Sequence, residues 1–175
     1  TCTVTTGHQL CLFTGPLYVP FKILNAVRIA HELSTPERPI VPVFWMATED
    51  HDLAEVDHAW VNGQRIHWPA TAGGAVGRMV LKGIGPVLDA LERALAPAPL
   101  NDALRSTLHT AYTEGRTLAE ATRRLVHHLF GAFGILIIDG DDPELKRAFA
   151  PIAERELLEG MTAQVVQRAN DQLAP

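Results

Sequence analysis

Seven consecutive residues, Ile40-Val41-Pro42-Val43-Phe44-Trp45-Met46, carry no charge and none of the polar alternation of a half-solvated strand. A strand that is apolar on both sides has to be covered on both faces, which is the condition of a parallel sheet. Parallel neighbours need crossover connections of about a dozen residues or more, so the flanking sequence must supply helices and further strands. Pro39 and Pro42 confine this strand or mark its start, because proline donates nothing to a ladder.

Those pieces are present. Residues 2 to 6 alternate and are rich in β-branched types, a short strand that ends at the Gly7 breaker. A long loop over residues 7 to 15 leads to Pro16 near a helix start. Phe21, Leu24, Val27 and Ala30, with Ile23, Ala26, Ile29 and Leu33, then give the helical stripe of an element packed on a sheet, ending near Ser34. A first βαβ unit is complete by residue 46. Residues 134 to 139 form a third parallel-strand candidate, Asp142-Pro143 opens a helix, and a last amphipathic helix covers about 162 to 173.

Between the second and third strands the pattern changes. A short helix is expected over about 53 to 61, Asn62-Gly63 is a turn signal, and residues 65 to 68 are extended. The Gly/Ala stretch from 70 to 77 reads as a mobile loop or hairpin tip, and residues 78 to 82 are expected to pair with 65 to 68. Three helices follow at 86 to 96, 100 to 114 and 117 to 131, the last led by Thr117 and Glu120 as a capping box and stopped by Gly131 and Gly134. The predicted class is α/β: one domain over 1 to 175, a partial parallel sheet of about three strands with flanking helices, and an insertion at about 62 to 115.

The chain has 175 residues, 47% of them hydrophobic and 20% charged, enough for a buried core. A formal net charge of -5 leaves no basic field to neutralise a phosphate backbone, which argues against nucleic acid as a partner. No apolar stretch reaches the roughly 18 to 20 residues that span a bilayer, and no secretion signal opens the chain, so a cytoplasmic enzyme is expected. Cys2 and Cys11 read as small apolar fillers. The start at Thr1 and the stop straight after a helical pattern suggest a fragment.

Ligands of open parallel sheets bind outside the carboxyl ends of the strands, and two such ends here are polar. After the first strand come His8 and Gln9, equipped to orient a carboxylate, and then Thr14, Gly15, Pro16 and Tyr18. Gly15 and Pro16 at a helix entrance would leave backbone N–H groups for a phosphate or carboxylate, with Lys22 reaching back; the bland alternative is an ordinary cap. After the second strand come Glu49-Asp50-His51-Asp52, three carboxylates and an imidazole that repel unless a cation, an amine or hydrogen bonds compensate them. Asp50 or Asp52 could be spent on capping the next helix. His51 and His58, two helical turns apart, with Asp52 and Glu55, would form the metal face of an amide-cleaving metallohydrolase; that is the alternative enzyme, a non-catalytic nucleotide or amino-sugar binding module is the other, and no metal is assigned. His127 and His128 read as surface residues.

The run TTGHQLCLFTGPLYVPFK followed by PIVPVFWMATEDHDLAEVDHAWV resembles the bacillithiol biosynthesis cysteine-adding enzymes, and IDGDDPELKRAFAPIAERELLEG is similar to their third core strand and following helix. One departure is His8, where the family has Gln, so only polarity carries over there. The resemblance implies a Rossmann-like core and, in the complete protein, a C-terminal coiled coil pairing two subunits. It implies a ligase that joins the cysteine carboxyl to the amine of glucosaminyl-malate. Chemistry adds ATP as an inference, since a carboxylate acylates an amine in water only after a leaving group is attached. On that reading His8, Gln9, Thr14, Gly15, Pro16, Tyr18 and Lys22 meet the activated carboxylate or its phosphate. Glu49 and Asp52 help hold an ammonium, and Asp50 or His51 takes the attacking amine's proton. The 175 residues alone are expected to be inactive.

Overall fold

The computed structural model describes residues 2–71, 73–95 and 102–173. Strands β1 (Cys2–His8), β2 (Ile40–Met46) and β5 (Leu136–Asp139) form one parallel sheet in the order β1-β2-β5. Cys2 pairs with Ile40 and His8 with Met46, while β5 joins only from Val43 opposite Leu136 to Met46 opposite Asp139. That late start explains how a proline enters the central strand: at Pro42, β2 has a neighbour on the β1 side alone.

Helix α1 (Tyr18–Leu33) connects β1 to β2 and ends at Ser34, as the periodicity implies. Its Val19, Ile23 and Val27 share one buried cluster with Phe44 and Met46 of β2 and with Leu125 and Val126 of α5 (Leu118–Phe130). On the opposite parity Val43 is buried, but Trp45 is 36% and Leu136 52% exposed. The expectation of a second strand buried on both faces is therefore corrected for Trp45. Cys2, expected as a filler, is exposed on β1, whereas Cys11 is buried.

The insertion differs from expectation in its first half. Helix α2 (Leu53–Val56) is a single turn, and the residues assigned to its continuation form β3 (His58–Val61), antiparallel to β4 (Gln64–His67). Asn62 at φ 48° and Gly63 at φ 78° make the two-residue turn whose twist matches a hairpin, and such a turn fixes the partner as the strand just before it. The expected pairing of 78–82 with 65–68 is absent; Val80 bridges Thr117 instead. The Asn62 amide also donates to the Ala94 carbonyl at 2.8 Å, tying the hairpin to α3 (Gly85–Leu95).

Helix α4 (Asp102–Ala111) is shorter than its pattern, and residues 96 and 100–101 of the expected helices lie outside the described residues. The capping box at α5 is present in both halves, with Thr117 accepting from Glu120 N–H and the Glu120 carboxylate receiving Thr117 N–H. The first compact unit closes at Gly140. A second begins at Asp141 and holds α6 (Pro143–Glu159), capped by Asp142, and α7 (Met161–Leu173), with left-handed Gly160 between them. Among the described residues no helix is long and apolar enough to cross a membrane.

Candidate functional site at the strand ends

Because β1 and β2 are adjacent and parallel, their polar sequels leave the sheet side by side. The ladder runs one residue further, with Ala47 N–H donating to the His8 carbonyl at 3.1 Å. Gly7 sits opposite Trp45, where a Cβ would lie 3.3 Å from the Trp45 carbonyl oxygen, so the close approach favours glycine. The Gln9 side chain makes a minor contribution to holding the Asp50 carboxyl low.

The first segment is an anchored turn rather than an open loop. Leu10, Cys11 and Leu12 are buried, and the backbone then takes three successive left-handed residues: Phe13 (φ 57°), Thr14 (φ 75°) and Gly15 (φ 62°). Only the last is a residue type that adopts this region cheaply. Phe13 N–H donates to the Tyr112 hydroxyl at 3.0 Å, and the two rings meet edge to face with centroids 4.8 Å apart. Burial pushes the Tyr112 hydroxyl up to about 12, so it stays a neutral hydrogen-bonding group at physiological pH. A Cβ on Gly15 would collide with Cys11, whose thiol burial also pushes its pKa up.

The backbone cradle expected at Gly15 is corrected by this geometry. Thr14 N–H donates to the Cys11 carbonyl and Gly15 N–H to that of Leu12, at 3.1 and 2.9 Å, and Pro16 has no N–H. The positive group at this mouth is Lys22. Its ammonium donates to the Gly7 carbonyl at 2.6 Å and lies 5.2 Å from the Tyr18 ring centroid, and Tyr18 stands edge-on to His8 at 6.5 Å. An ammonium has three donors, so the Gly7 bond leaves two for a ligand.

In the second segment the acidic residues divide. The Asp50 carboxylate accepts the N–H groups of His51 at 2.7 Å and Asp52 at 3.2 Å. These bonds, that to Asp52 foremost, hold it below the usual carboxylate range. Asp52 caps α2 by accepting from Ala54 N–H at 3.1 Å, the bland role, and Glu49 reaches over Gly140. The His51 side chain is 89% exposed. His58, expected on a helix face with His51, is on β3, where its Nδ1 lies 2.9 Å from Asp57 Oδ1; Arg65 and His67 hold the same carboxylate. The expected metal face is therefore not assembled, and among the described residues no group of three or more His, Cys, Asp or Glu is placed to hold a metal.

Four positions at this mouth escaped the sequence reading. Thr48, 1% exposed, donates its hydroxyl to Asp139 at the end of β5, which also lies near Arg123. Val76 N–H donates to the Asp50 carbonyl at 2.7 Å and Gly77 N–H to that of Thr48 at 3.0 Å, so residues read as a mobile loop are bonded to the acidic turn. A Cβ on Gly77 would fall 2.6 Å from that of Thr48. The only signal for these contacts was the polarity of Thr48 and Asp139 at strand ends. A cavity of about 680 Å³, lined by Trp68, Met79, Lys82 and Glu114 among others, contains none of the expected site residues.

Residues 1–175 match the family described as bacillithiol biosynthesis BshC, N-terminal Rossmann-like domain. The protein named "Putative cysteine ligase BshC" of Cytophaga hutchinsonii is 45% identical over 172 residues, covering 97% of this chain and 31% of its own length. The proteins of the same name from Flavobacterium johnsoniae and Salinibacter ruber are 40% and 36% identical, covering 99% and 88% of this chain and 33% and 30% of theirs. The chain spans about a third of the length of the curated relatives it matches.

Proposed function

The chain belongs to the bacillithiol biosynthesis BshC family as its N-terminal Rossmann-like domain, and from that premise we propose that the strand-end crevice serves a cysteine ligase. The reaction is amide formation between the cysteine carboxyl and the amine of glucosaminyl-malate. The observation that carries this reading is the parallel pairing of β1 with β2 up to His8 opposite Met46, extended by Ala47 N–H on the His8 carbonyl at 3.1 Å, which makes one mouth of two strand ends.

Roles follow from the chemistry of each group. Lys22, with two donors beyond its Gly7 bond, holds the cysteine carboxylate or a phosphate joined to it. Tyr18 and His8 line the same lip, and Thr14 to Pro16 set the entry of α1. Asp50, kept ionised by its N–H donors, holds an ammonium, assisted by Glu49 and Asp52. A carboxylate of such low basicity is a poor proton acceptor, so the proton of the attacking amine goes to solvent-exposed His51. ATP would supply the leaving group that a free carboxylate lacks. On this reading the chain alone is inactive, because a doubly wound site is built from two half-sheets across its switch point and the described parallel sheet has three strands.

The test is made in a complete family protein carrying this domain, by mass-spectrometric detection of the cysteine amide with and without ATP. Lys22→Met and Asp50→Asn should each lower kcat/KM about 100-fold or more with the fold intact. Unchanged turnover in both variants removes the crevice from the reaction.

A further inference from the structure

Away from the strand ends, helices α4 and α5 enclose an open cleft of about 290 Å³. It is lined by Ser106, Thr107 and Thr110 from α4 and by Arg124, His127 and His128 from α5, and no acid is among its lining residues. Among the described residues, the Ser106 and Thr110 hydroxyls, the Arg124 guanidinium and both imidazoles make no hydrogen bond within the chain. Thr107 gives its proton to the Ala103 carbonyl at 2.8 Å.

Two acids near these helices, Glu120 and Glu92, are engaged elsewhere, and Asp102 at the start of α4 lies 3.9 Å from Arg105. Glu120, one turn before Arg124, has its Oε2 on the Thr117 N–H at 2.8 Å and hydroxyl at 3.1 Å. Glu92, extending from α3, is held by Arg105 at 3.2 Å and His109 at 2.8 Å. Arg124 is attracted by Glu120 one turn away but makes no hydrogen bond to it, so its fork of donors remains for the cleft. Gly131 makes room for a second donor. Its backbone is ordinary right-handed helix (φ -59°, ψ -34°), open to any residue, yet a Cβ there would lie 2.8 Å from His127 Nδ1. The last turn of α5 carries the negative end of the helix dipole, so an anion here has to be held by side chains and not by the backbone.

We propose that this cleft binds a tetrahedral, phosphate-type oxyanion, with Arg124 as a two-pronged anchor and Ser106, Thr110, His127 and His128 completing its donors. A guanidinium fork with converging hydroxyl and imidazole donors matches an oxyanion with several acceptor oxygens. The inference is independent of the ligase reading, since none of these residues lies at a strand end. It is tested by NMR titration of the chain with inorganic phosphate, exchanged for chloride at fixed ionic strength. The expected result is a saturable shift of the amides of residues 106–111 and 124–128, weakened at least about tenfold in Arg124→Gln and several-fold in Arg124→Lys, which keeps charge but loses the fork. The paired variant Ser106→Ala/Thr110→Ala should weaken it at least about threefold with Arg124 in place. Shifts that do not saturate, or an affinity unchanged within twofold in both Arg124→Gln and the paired variant, overturn the proposal.

Discussion

Replacing Tyr112 with Phe removes one oxygen and leaves the ring that packs on Phe13. That oxygen accepts the Phe13 N–H at 3.0 Å, and Tyr112 is 1% exposed, so water has little access from the tyrosine side. A partly buried donor deprived of its acceptor costs about 1–3 kcal/mol. The turn it pins is also the most expensive piece of backbone at the site. Phe13 and Thr14 are both left-handed, a conformation that costs an L-residue with a Cβ roughly 1–2 kcal/mol. The hydroxyl therefore offsets strain that the turn would otherwise release by refolding locally.

Urea denaturation should show the midpoint of Tyr112→Phe lowered with the slope unchanged, and the melting temperature should fall by roughly 2–4 °C for each kcal/mol lost in a chain of this size. Thr14→Gly, which frees the same turn from its β-branched strain, should raise stability by up to about 1 kcal/mol. The two changes should then be non-additive by at least about 0.5 kcal/mol, because both act on one turn. A Tyr112→Phe midpoint within about 0.5 kcal/mol of the parent would refute the claim that this hydroxyl holds the turn.

Gly77→Ala drives a methyl into Thr48 and should destabilise by about 1–3 kcal/mol, with amide exchange at Val76 and Gly77 accelerated beyond that of the rest of the insertion. Asp57→Asn weakens the clasp of His58, Arg65 and His67; a loss of about 1–3 kcal/mol, seen as faster amide exchange across β3 and β4, is expected in thermal melts at neutral pH. Asp50 and Glu120 both have folded-state values below the carboxylate range, from N–H donors at Asp52 and at Thr117 respectively. Each therefore contributes stability that is complete above its unfolded value and drains away as pH falls through the lower folded one. Asp50→Asn and Glu120→Gln should be less stable than the parent at pH 7 and converge with it near about pH 2, and a gap that stays constant with pH would contradict the assignment.

Legibility followed the range of the interaction. The apolar run of β2, the stripe of α1 and the Thr117–Glu120 box are local, and each stands where its residues imply. The hairpin was half legible: Asn62-Gly63 announced it, but a helical reading of 53 to 61 hid β3, because His58 to Val61 is too short for its alternation to outweigh the helical spacing of Leu53 and Val56. In the acidic cluster the same letter serves two purposes. Asp52 caps a helix and Asp50 closes a turn by accepting the His51 and Asp52 N–H groups, and composition does not separate them. Nothing near Phe13 in the sequence announces a left-handed turn; its support, Tyr112, is 99 residues away.

That separation has a functional consequence. The acidic turn is bonded at once to the end of β1 through Ala47 N–H on the His8 carbonyl, to Asp139 at the end of β5 through Thr48, and to Val76 and Gly77 of the insertion. Three segments distant in sequence thus fix the position of one carboxylate, and a change in any of them reaches Asp50 without touching it. Short side chains at such a junction, Thr48 and Gly77 among them, set how closely the segments approach, and the polar residues then meet at hydrogen-bond distance. Positioning of a charged group by several rigid neighbours is what a site needs if binding energy is to be used for orientation rather than for ordering the site itself.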